Sequence, residues 1–581
     1  MSKTKKHKAN ILNSLFFQLA AVNILINLIQ PCNQLIDTIL TGQALGARAL
    51  QVYALFLPVN SFLLAVSCML SKGSQITCSH LIGSGRFEES DGAFNTSFLM
   101  GAAVSILFMV ACLCFSGKLA VLLGAGDLTG EVSRYIRAYS IGVPAAILLD
   151  TLMCLMQLEG KKKAVILGSF CGLAVNAAGD LVNIFFLKKG VVGMAFATTV
   201  SYIVTFLVLG MYYMKKSKLF SLKAVSVKKD CVLEILKNGL PSLTYYGSLV
   251  IRTAFMNMLI INYLDKKALV AMLVFTDFGT ITDVLIGGHC DAVLVMGGVL
   301  YGEKDKKGAR ALLRISLISG AVMMAAVAIL AVVFSGPLAR LFLNEEDLAF
   351  APAASTAIRI AALYLVQDII SCVEKKYIQA IGNRLYTAVT NIVYNVLCVC
   401  SFAWILTHIL GEKGLFLSFA CCYLVAAIIN SVYIIFFSDK RFKDENVSIK
   451  VYTIENLDEC IRASEEIYSY YRSMGVDSRR CNLISLFTEE IGKNIISYGF
   501  GKKRGESIVM KAMKSGDKMT LNIKDNCILF DPTHYYDTLK KKDEKTDEKA
   551  ADGIGIRMLM ELSKKVVYTT SFNLNNLLIE V

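Results

Sequence analysis

The sequence predicts a mainly α-helical membrane protein with twelve transmembrane helices in two six-helix repeats, followed by a cytosolic α/β sandwich domain. Three observations predict this architecture. Of the 581 residues, 55% are hydrophobic, and the long apolar runs lie between about Ile11 and Phe437. Similar short motifs recur at a nearly constant offset within that region. The remaining stretch has the composition of a soluble domain.

Twelve candidate spans account for the apolar region. A spanning helix needs about 20 mostly apolar residues. Runs of this kind are centred near residues 24, 64, 104, 146, 175, 203, 248, 283, 323, 367, 397 and 425. No cleavage site follows the basic N-terminus MSKTKKHKAN. The first apolar run is therefore interpreted as a retained span and not as a signal peptide.

The formal net charge of +14 is concentrated in clusters that fall on one side of a twelve-span topology. This positive-inside pattern predicts a multi-pass protein of the cell membrane with both termini cytoplasmic. Because the excess charge is explained by topology, the pattern argues against nucleic-acid binding. The basic clusters are Lys3–Lys8, Lys161–Lys163, Lys215–Lys237, Lys304–Arg314 and Lys440–Lys443.

Three pairs of stretches indicate an internal repeat. LMQLEGKKKAVIL and KYIQAIGNRLYTAV share Q-x-x-G, which places Gly160 opposite Gly382. KKGVVGMAFA and LGEKGLFLSFA share G-x-x-G at almost the same offset. HLIGSGRFEESDGAF resembles GVLYGEKDKKGARAL, with Gly85 near Gly302. Matches in order at one offset predict a duplicated unit, and two parallel halves of six spans are a plan of secondary transporters with the substrate path between the halves.

The predicted domains follow from the repeat and from the change in composition. Residues 1–225 form the first six-helix bundle and residues 226–440 the second. A linker at 441–450 leads to a cytosolic domain at 451–581.

Acidic residues within spans are functional candidates because a charge in the bilayer costs several kcal/mol. Asp37 ends the first span, and Asp180 follows Asn176 by one helical turn on the same helix face. Thr198 lies in the next span. Two carboxylates, an amide oxygen and a hydroxyl could bind a proton or Na⁺, since hard cations take oxygen ligands. The alternative is that each acid caps or hydrogen-bonds a helix end near the interface.

Two further intramembrane charges, Arg252 and Asp277, are open to two interpretations. They pair with each other, or they contact the substrate.

The membrane region resembles the multidrug and toxin extrusion (MATE) family of cation-coupled antiporters over about residues 10–437. The stretches that carry the resemblance are IDTILTGQALGARALQVYAL, GSQITCSHLIGSGRFEESDGAF, YSIGVPAAILLDTLMCLMQLEGKKKA, NAAGDLVNIFF, GVVGMAFATTVS and LKNGLPS. The resemblance implies alternating access driven by H⁺ or Na⁺, with Asp37, Asn176, Asp180 and Thr198 as the cation site. One branch of the family uses a glutamate in the seventh helix. Here that region has no acid and carries Arg252, so the cation site is expected in the first half.

The region after residue 440 predicts a sheet with helices on one face. SIKVYTI is typical of a strand, RRCNLISLFTEEIGKNIISYGF of an amphipathic helix, and ESIVMKAMKSGDKMTLNIKD of a hairpin around Ser-Gly-Asp. NCILFDP and the charged run KKKDEKTDEKAADG then precede a helix, GIGIRMLMEL, and two closing strands.

Three segments of this domain carry candidate chemistry. Glu490 and Asn494 are one helical turn apart, where the carboxylate can orient a hydroxyl or water and the amide oxygen can hold Mg²⁺. Asp525 ends a strand and is suited to accept a hydrogen bond from an adenine amino group. Gly553 and Gly555 open a helix, whose N-terminus favours phosphate.

This set resembles the GHKL (Bergerat-type) ATPase fold, and most closely the anti-sigma-factor serine kinases. E-x-x-x-N matches Glu490 and Asn494, and D-x-G-x-x-F-D-P matches Asp525 to Pro532 with Phe530 in place, although Cys527 replaces the glycine. G-x-G matches the glycine pair, and the charged run would be the ATP lid. The resemblance implies ATP and Mg²⁺, with Glu490 catalytic, Asn494 on the metal, and an anti-sigma-antagonist-like protein partner. No Walker A motif occurs in the sequence, so ATP is not expected to drive transport.

The sequence therefore predicts an antiporter that exports an organic, cationic or amphipathic compound across the lipid membrane in exchange for H⁺ or Na⁺, with an ATP-binding regulatory domain. One alternative is a membrane-tethered serine kinase whose helical bundle is a sensor. Another is a lipid or glycan flippase, which would need a basic cavity, whereas few Lys or Arg are expected inside the spans.

Overall fold

The computed structural model describes residues 3–216, 229–343, 345–442, 447–500, 506–546, 553–571 and 574–581. The chain forms two compact units. The first comprises Phe16–Gln157 and Lys161–Arg441, and the second is mainly Phe442–Val581. The apolar and the soluble-like regions of the sequence are thus separate structural units. The predicted boundary between the two bundles, at residues 225 and 226, lies outside the described residues.

The first unit is built from long helices that run in chain order through both halves. In the first half these are α1 (Lys3–Leu40), α2 (Gly46–Gly83), α3 (Phe87–Leu122), α4 (Thr129–Ser140), α5 (Val143–Leu158), α6 (Lys162–Val182) and α7 (Gly190–Lys216). In the second half they are α8 (Lys229–Tyr263), α9 (Lys266–Gly302), α10 (Lys306–Val333), α11 (Ser335–Phe342), α12 (Ala351–Ala380), α13 (Arg384–Ile392), α14 (Val399–Leu410) and α15 (Glu412–Phe437).

The protein is a mainly helical membrane protein. Within the described residues, 10 helices are long and apolar enough to cross a membrane, or 11 if the pair Gly126–Ser140 and Val143–Leu158, bent by 45°, is one span. Helix α8 is 35 residues long but is not among them. The count of twelve spans therefore stays a prediction.

Two pairs of glycines from the repeated motifs take matching backbone conformations. Gly160 and Gly382 both have φ of 82°, and Gly190 and Gly411 have φ of 62° and 60°. Glycine adopts positive φ without strain. The Q-x-x-G and G-x-x-G motifs therefore mark equivalent turns in the two halves.

The packing of α2 against α9 corrects the third sequence match. The sequence places Gly85 near Gly302, whereas in the structure Gly83 is the equivalent of Gly302. A Cβ atom on Gly83 would lie 2.2 Å from the Val299 carbonyl oxygen, and one on Gly302 would lie 2.3 Å from the His80 carbonyl oxygen. His80 and Val299 have the same separation in sequence as Gly83 and Gly302. The two helices therefore cross through their glycines with approximate two-fold symmetry.

Other contacts close the space between the halves near this crossing. Ile76, Leu294 and Ala380 form a buried apolar cluster. The ring Nε2 of His80 lies 2.7 Å from the carbonyl oxygen of Ala380. These contacts join α2 to α9 and α12, and they seal one end of the bundle.

The second unit contains a five-stranded antiparallel sheet in the order β1-β2-β3-β5-β4. Its elements are β1 (Val447–Ile454), α16 (Leu457–Ser473), α17 (Ser478–Asn494), β2 (Ile508–Ser515), β3 (Lys518–Asp525), α18 (Pro532–Thr546), α19 (Ile554–Leu562), β4 (Lys565–Ser571) and β5 (Leu574–Glu580).

Helices cover one face of this sheet. Alternate residues of a strand point to the same face, and the buried set on β2 and β3 follows that period. Those residues form one core with α16, α17 and α19, through Ile508, Met510, Ala512, Met519, Leu521, Ile523, Ile467, Tyr471, Ile484, Phe487 and Leu559.

The structure confirms the predicted hairpin and the elements around it. Ser515 pairs with Lys518 across Gly516, which has φ of 58°. Helices α16 and α18 were not predicted, and β1 begins at Val447, within the predicted linker. The first part of the charged run belongs to α18, while residues 547–552 of the predicted lid lie outside the described residues.

Candidate functional site

A cavity of about 670 Å³ lies between the two halves of the helical unit. Asp37 and Thr198 line its wall in the first half, and Arg252 and Asp368 line its wall in the second. A volume in this range suits a drug-sized organic molecule. The cavity is therefore the candidate substrate site.

Three of the predicted site residues meet beside this cavity. The side-chain Nδ2 of Asn176 donates to Oδ1 of Asp37 at 2.7 Å and to Oδ2 of Asp180 at 3.3 Å. Asn176 and Asp180 are fully buried. The Oδ1 atoms of these two residues have no hydrogen-bond partner within the described part of the chain. Buried oxygens without a donor fit a proton or a hard cation such as Na⁺.

Thr198, the fourth predicted residue, is on α7 and faces the cavity. Its hydroxyl donates to the carbonyl oxygen of Met194 at 3.2 Å. The oxygen lone pairs of the hydroxyl are therefore available to a bound cation or substrate.

Irregular helical turns follow both acids. A π-helical turn at Thr41–Leu45 comes one helical turn after Asp37, and another at Asn183–Leu187 comes shortly after Asp180. Such turns are frequent at functional sites. They were not predicted, because residues in a π-turn have no distinctive periodicity.

Aromatic side chains of the first half form the wall next to this acidic cluster. The ring of Phe56 lies 4.9 Å from Tyr135 and 4.6 Å from Tyr139, and Tyr139 meets Tyr202 edge to face at 6.3 Å. Tyr53 also lines the cavity. Aromatic faces near carboxylates attract organic cations, so this wall suits a cationic or amphipathic ligand.

Sequence reasoning missed an ion cluster that joins the halves. Nζ of Lys72, on α2, lies 3.0 Å from Oδ2 of Asp291, on α9, and Nζ of Lys376, on α12, lies 3.8 Å from Oδ1 of the same aspartate. Asp150 accepts a hydrogen bond from Ser67 at 2.5 Å nearby on the first-half wall. Lys72, Asp150 and Asp291 each sit within an apolar run, which was the signal that could have found them.

Few Lys or Arg were expected inside the spans, but four basic side chains line the cavity. The structure also argues against the interpretation that Arg252 pairs with Asp277. Arg252 faces the cavity and interacts with Asp283 of α9, whereas Asp277 is exposed on the same helix and is not part of the lining. The four basic residues are Lys72, Arg252, Lys375 and Lys376.

In the second unit, the structure brings Glu490, Asn494 and Gly555 together. A Cβ atom on Gly555 would lie 2.6 Å from Oε2 of Glu490 and 3.8 Å from Nδ2 of Asn494. Gly553, with φ of 76°, precedes the first residue of α19. The start of α19 therefore packs against the end of α17, where a helix N-terminus favours an anion such as phosphate.

Asp525 lies at the end of β3 and is held by Asn575, a residue that sequence reasoning missed. Nδ2 of Asn575 donates to Oδ1 of Asp525 at 2.7 Å and to the Ile528 carbonyl oxygen at 3.0 Å. Oδ1 of Asn575 accepts from the Phe530 N–H at 3.2 Å and from the Tyr568 hydroxyl at 2.5 Å. All four bonding positions of the amide are used, so Asn575 fixes the loop that follows β3.

The environment of Asp525 changes its acidity. Burial raises the pKa of Asp525 above its ordinary value of 3.8, and hydrogen bonds from Asn575 and Cys527 partly offset the rise. Burial and the neighbouring Asp525 charge also raise the pKa of the Cys527 thiol well above its ordinary range. Cys527, which replaces the expected glycine, packs against Gly499. A Cβ atom added to Gly499 would lie 3.3 Å from the Cβ atom of Cys527.

The other residues of this loop differ in role. Phe530 is half exposed, and its ring lies 5.6 Å from that of Tyr535. Oδ1 of Asp531 accepts from the backbone N–H of Thr533 at 3.1 Å and of His534 at 3.2 Å. Asp531 therefore caps the N-terminus of α18.

Comparison with known protein families assigns the helical unit. The model of the MatE family matches residues 23–182 and, a second time, residues 247–405, together more than half of the chain. The chain belongs to the MatE family. The double match agrees with the two halves seen in the packing, and the C-terminal unit lies outside the matched residues.

Curated relatives of this MatE chain include the multidrug export protein MepA of two species. That of Staphylococcus aureus (strain MRSA252) is 23% identical over 265 residues, which are 45% of this chain and 58% of the relative. The chain thus spans 58% of the length of that relative. That of Staphylococcus saprophyticus is 20% identical over 403 residues, 69% of this chain and 88% of the relative.

Solved MATE structures share the fold of the helical unit. An outward-facing conformation of a multidrug resistance MATE family transporter of the MOP superfamily superposes with a TM-score of 0.71 at 22% identity, covering 76% of this chain and all of that one. A MOP superfamily transporter from Pyrococcus furiosus, described as having a binding pocket of reverse polarity, superposes with a TM-score of 0.70 at 21% identity. Identities this low establish the fold alone.

Proposed function

We propose that the protein is a secondary active antiporter that exports organic, cationic or amphipathic compounds in exchange for H⁺ or Na⁺. The observation that carries the proposal is the bridging of Asp37 and Asp180 by the single amide of Asn176 beside an aromatic-walled cavity. The names of the curated relatives, multidrug export proteins, support the same class of substrate.

The charge of the acidic cluster would couple ion and substrate. Two adjacent carboxyl groups, one buried and one partly buried, do not both stay charged without a cation between them. Uptake of H⁺ or Na⁺ by Asp37 and Asp180 would therefore favour one conformation of the two halves, and its release would favour the other. Organic cations and coupling ions would compete for the same negative charge, which is the requirement for exchange.

We also propose that both termini are cytoplasmic, which would make the closed end at Gly83 and Gly302 the cytoplasmic end. The positive-inside pattern supports this orientation. In this conformation the cavity would face outward, ready to release substrate and to take up the coupling ion.

The C-terminal unit, we propose, is a GHKL-type nucleotide-binding domain that regulates transport. The grouping of Glu490, Asn494 and Gly555, with Asp525 at the neighbouring strand end, supports ATP binding. Asn494 would hold Mg²⁺ through its amide oxygen, as hard cations prefer oxygen ligands, and Glu490 would orient an attacking hydroxyl or water.

A second candidate function is a membrane-tethered serine kinase that acts on an anti-sigma-antagonist-like protein, with the helical bundle as its sensor. The same Glu490 and Asn494 pair favours it. The flippase alternative gains less support, because the basic residues of the cavity each face an acid. Nζ of Lys72 and of Lys376 both approach Asp291, so neither is free for a phosphate.

The test is efflux of a fluorescent organic cation from proteoliposomes that hold the full-length protein under an imposed H⁺ or Na⁺ gradient. We expect gradient-dependent efflux by the wild type and by Asp277→Asn, a matched control whose carboxylate lies outside the cavity lining, and loss of efflux in Asp37→Asn. Equal efflux by Asp37→Asn and Asp277→Asn would contradict the proposed coupling site.

The same vesicles test the C-terminal unit when ATP is supplied on the side that carries it. A change in efflux rate with ATP that is lost in Asn494→Ala would support regulation by nucleotide. Bound ATP without any gradient-driven flux across several dyes would favour the sensor-kinase function.

A further inference from the structure

The two halves carry opposite charges at equivalent positions of their first helices. Asp37 lies in the stretch IDT of α1, and Arg252 lies in the stretch IRT of α8. Both side chains line the cavity. The repeat therefore inverts a charge at a position that faces the candidate substrate site.

Packing supports this equivalence independently of the sequence. A Cβ atom on Gly239 of α8 would lie 2.0 Å from the carbonyl oxygen of Met69, and one on Gly288 of α9 would lie 2.4 Å from the backbone nitrogen of Ile24. Ile24 and Gly239 have the same separation in sequence as Asp37 and Arg252. Met69 and Gly288 have the same separation in sequence as Gly83 and Gly302, the glycines at the α2–α9 crossing. The close contact between α8 and α2 thus has its equivalent in the contact between α1 and α9. Helix α1 is therefore equivalent to α8, and their alignment places Asp37 opposite Arg252.

The surroundings of Arg252 compensate its charge. Its guanidinium lies 5.3 Å above the ring of Phe419 and interacts with Tyr423 and Asp283. Asp283 in turn faces Asp368, and both acids also interact with Lys375. Two acids and two bases make this group neutral. In the described part of the chain, other titratable side chains that interact with this group include Tyr245, Tyr364, Cys372, Cys400 and Cys422.

Among the described residues, the first half has no such balance. The groups that act on Asp37 and Asp180 are each other and the neutral Asn176. When both of its carboxyl groups are ionised this cluster carries two negative charges and requires H⁺ or Na⁺, whereas the cluster around Arg252 has no net charge when its acids and bases are all ionised.

We propose that Arg252 is a tethered counter-cation, which holds the second half in one charge state so that only the first half exchanges a cation. Arginine keeps its proton under all physiological conditions, and its guanidinium cannot leave. The proposal rests on the proposed antiport, because it assigns the exchanged cation to one half. It predicts that removing the charge of Arg252 leaves one uncompensated carboxylate, and hence a second site for H⁺ or Na⁺.

The test compares Arg252→Gln with Arg252→Lys in full-length protein reconstituted in liposomes. The number of H⁺ or ²²Na⁺ ions moved per substrate is measured from paired flux assays. We expect Arg252→Gln to raise this number by one ion, and Arg252→Lys, which keeps the charge, to match the wild type. The double variant Arg252→Gln/Asp283→Asn should return to the wild-type number. An unchanged number in Arg252→Gln would overturn the proposal.

A second readout separates this proposal from the proposed function. Infrared titration and ²²Na⁺ binding of the purified variants, without substrate or gradient, count protonated carboxyl groups and bound ions. One additional protonated carboxyl or one additional bound Na⁺ in Arg252→Gln supports the tethered cation even if the wild type shows no antiport. If neither change is seen, the tethered-cation proposal is overturned, while the proposed antiport at Asp37 still stands.

Folding of the variants is also informative. If Arg252→Gln does not fold, recovery of folded protein by adding Asp283→Asn supports a neutralising role for Arg252. Failure of that rescue while Arg252→Lys folds would overturn it.

Discussion

The side-chain amide of Asn176 donates to Oδ1 of Asp37 at 2.7 Å across two helices that are far apart in sequence. The same nitrogen reaches Oδ2 of Asp180 at 3.3 Å. One neutral donor thus serves the buried Asp180 and the partly buried Asp37. In the proposed antiporter this donor sets how tightly the acids hold a cation, because a hydrogen bond to a carboxylate favours its charged form.

Replacing Asn176 with alanine should therefore tighten proton binding, in contrast to the loss of binding expected for Asp37→Asn. A hydrogen bond to a charged group contributes about 1.5–3 kcal/mol, equivalent to roughly ten- to a hundredfold in affinity. In a proteoliposome efflux assay driven by a pH gradient, half-maximal efflux should move to higher pH, and the maximal rate should fall because proton release slows. Asn262→Ala removes an amide that bonds the carbonyl oxygen of Met258 on its own helix, and it should leave the profile in place. A shift in the opposite direction would contradict the bridging role.

A side chain at Gly83 should weaken the seal between the halves. In Gly83→Ala the new Cβ would meet the Val299 carbonyl oxygen, and overpacking of this kind costs about 1–3 kcal/mol. Only the state with α2 and α9 apart avoids the clash, so the ratio of that state to the closed one should rise by roughly five- to 150-fold. Pulsed electron resonance between genetically encoded labels at Glu88 and Lys307, just beyond the crossing, measures the change.

The matched control for this prediction is Gly247→Ala. Gly247 is also helical, but no described atom outside its own helical turns lies within 4 Å of the position that its Cβ would take. Its label distances should match those of the unsubstituted protein. Identical distance distributions in Gly83→Ala and Gly247→Ala would show that the glycine crossing does not hold the seal.

Much of this fold could be predicted from the sequence because the signals are local. Apolar runs mark the helices, and glycines with positive φ, such as Gly160 and Gly382, mark turns that only one residue type adopts without strain. Alternation around Gly516 likewise predicted the hairpin. The match of Gly85 with Gly302 was displaced because the decisive contact, between Gly83 and Val299, joins two helices and has no local signature.

The site residues, too, could be predicted where their signal was local and were missed where it depended on contacts between separate elements. Asn176 and Asp180 were predicted because they share a helix face. The ion cluster of Lys72 and Asp291 was missed because each charge looks unpaired in its own span, and the partners are brought together only by packing. Asn575 was missed for the same reason, since its four bonds reach the end of β3, the loop after it and β4.

Asp525→Asn should stabilise the C-terminal unit at neutral pH. The pKa of Asp525 is raised by burial, so the folded state binds the proton more tightly than the unfolded state. The protonated carboxyl group of Asp525 therefore stabilises the folded state at low pH, and this stabilisation is lost as the pH rises through the raised pKa of Asp525. Asparagine keeps an acceptor oxygen without the charge, so the gain over the wild type should be largest at pH 7 and should shrink towards pH 4.

Hydrogen-exchange protection of β2 and β3 in the full-length protein measures this difference in stability. Asp537→Asn changes an exposed aspartate of α18 and should have little effect at either pH. A loss of protection in Asp525→Asn at pH 7 would mean that the charged carboxylate contributes more through its hydrogen bonds than its burial costs.

Asn575→Ala should change which nucleotide the C-terminal unit prefers. Asn575 fixes the carboxylate of Asp525, the proposed acceptor of the adenine amino group, and leaving buried partners unpaired costs about 1–3 kcal/mol. Inosine triphosphate lacks that amino group. If Asn575 orients the acceptor, the variant should lose affinity for ATP by roughly tenfold while its affinity for inosine triphosphate changes little, so the ratio of the two affinities falls. Asn576→Ala is the matched control, because Asn576 is equally buried on the opposite face of β5, where it donates to Thr569 at 3.0 Å. A general loss of stability would lower both affinities equally in both variants, and that result would reduce Asn575 to a structural role.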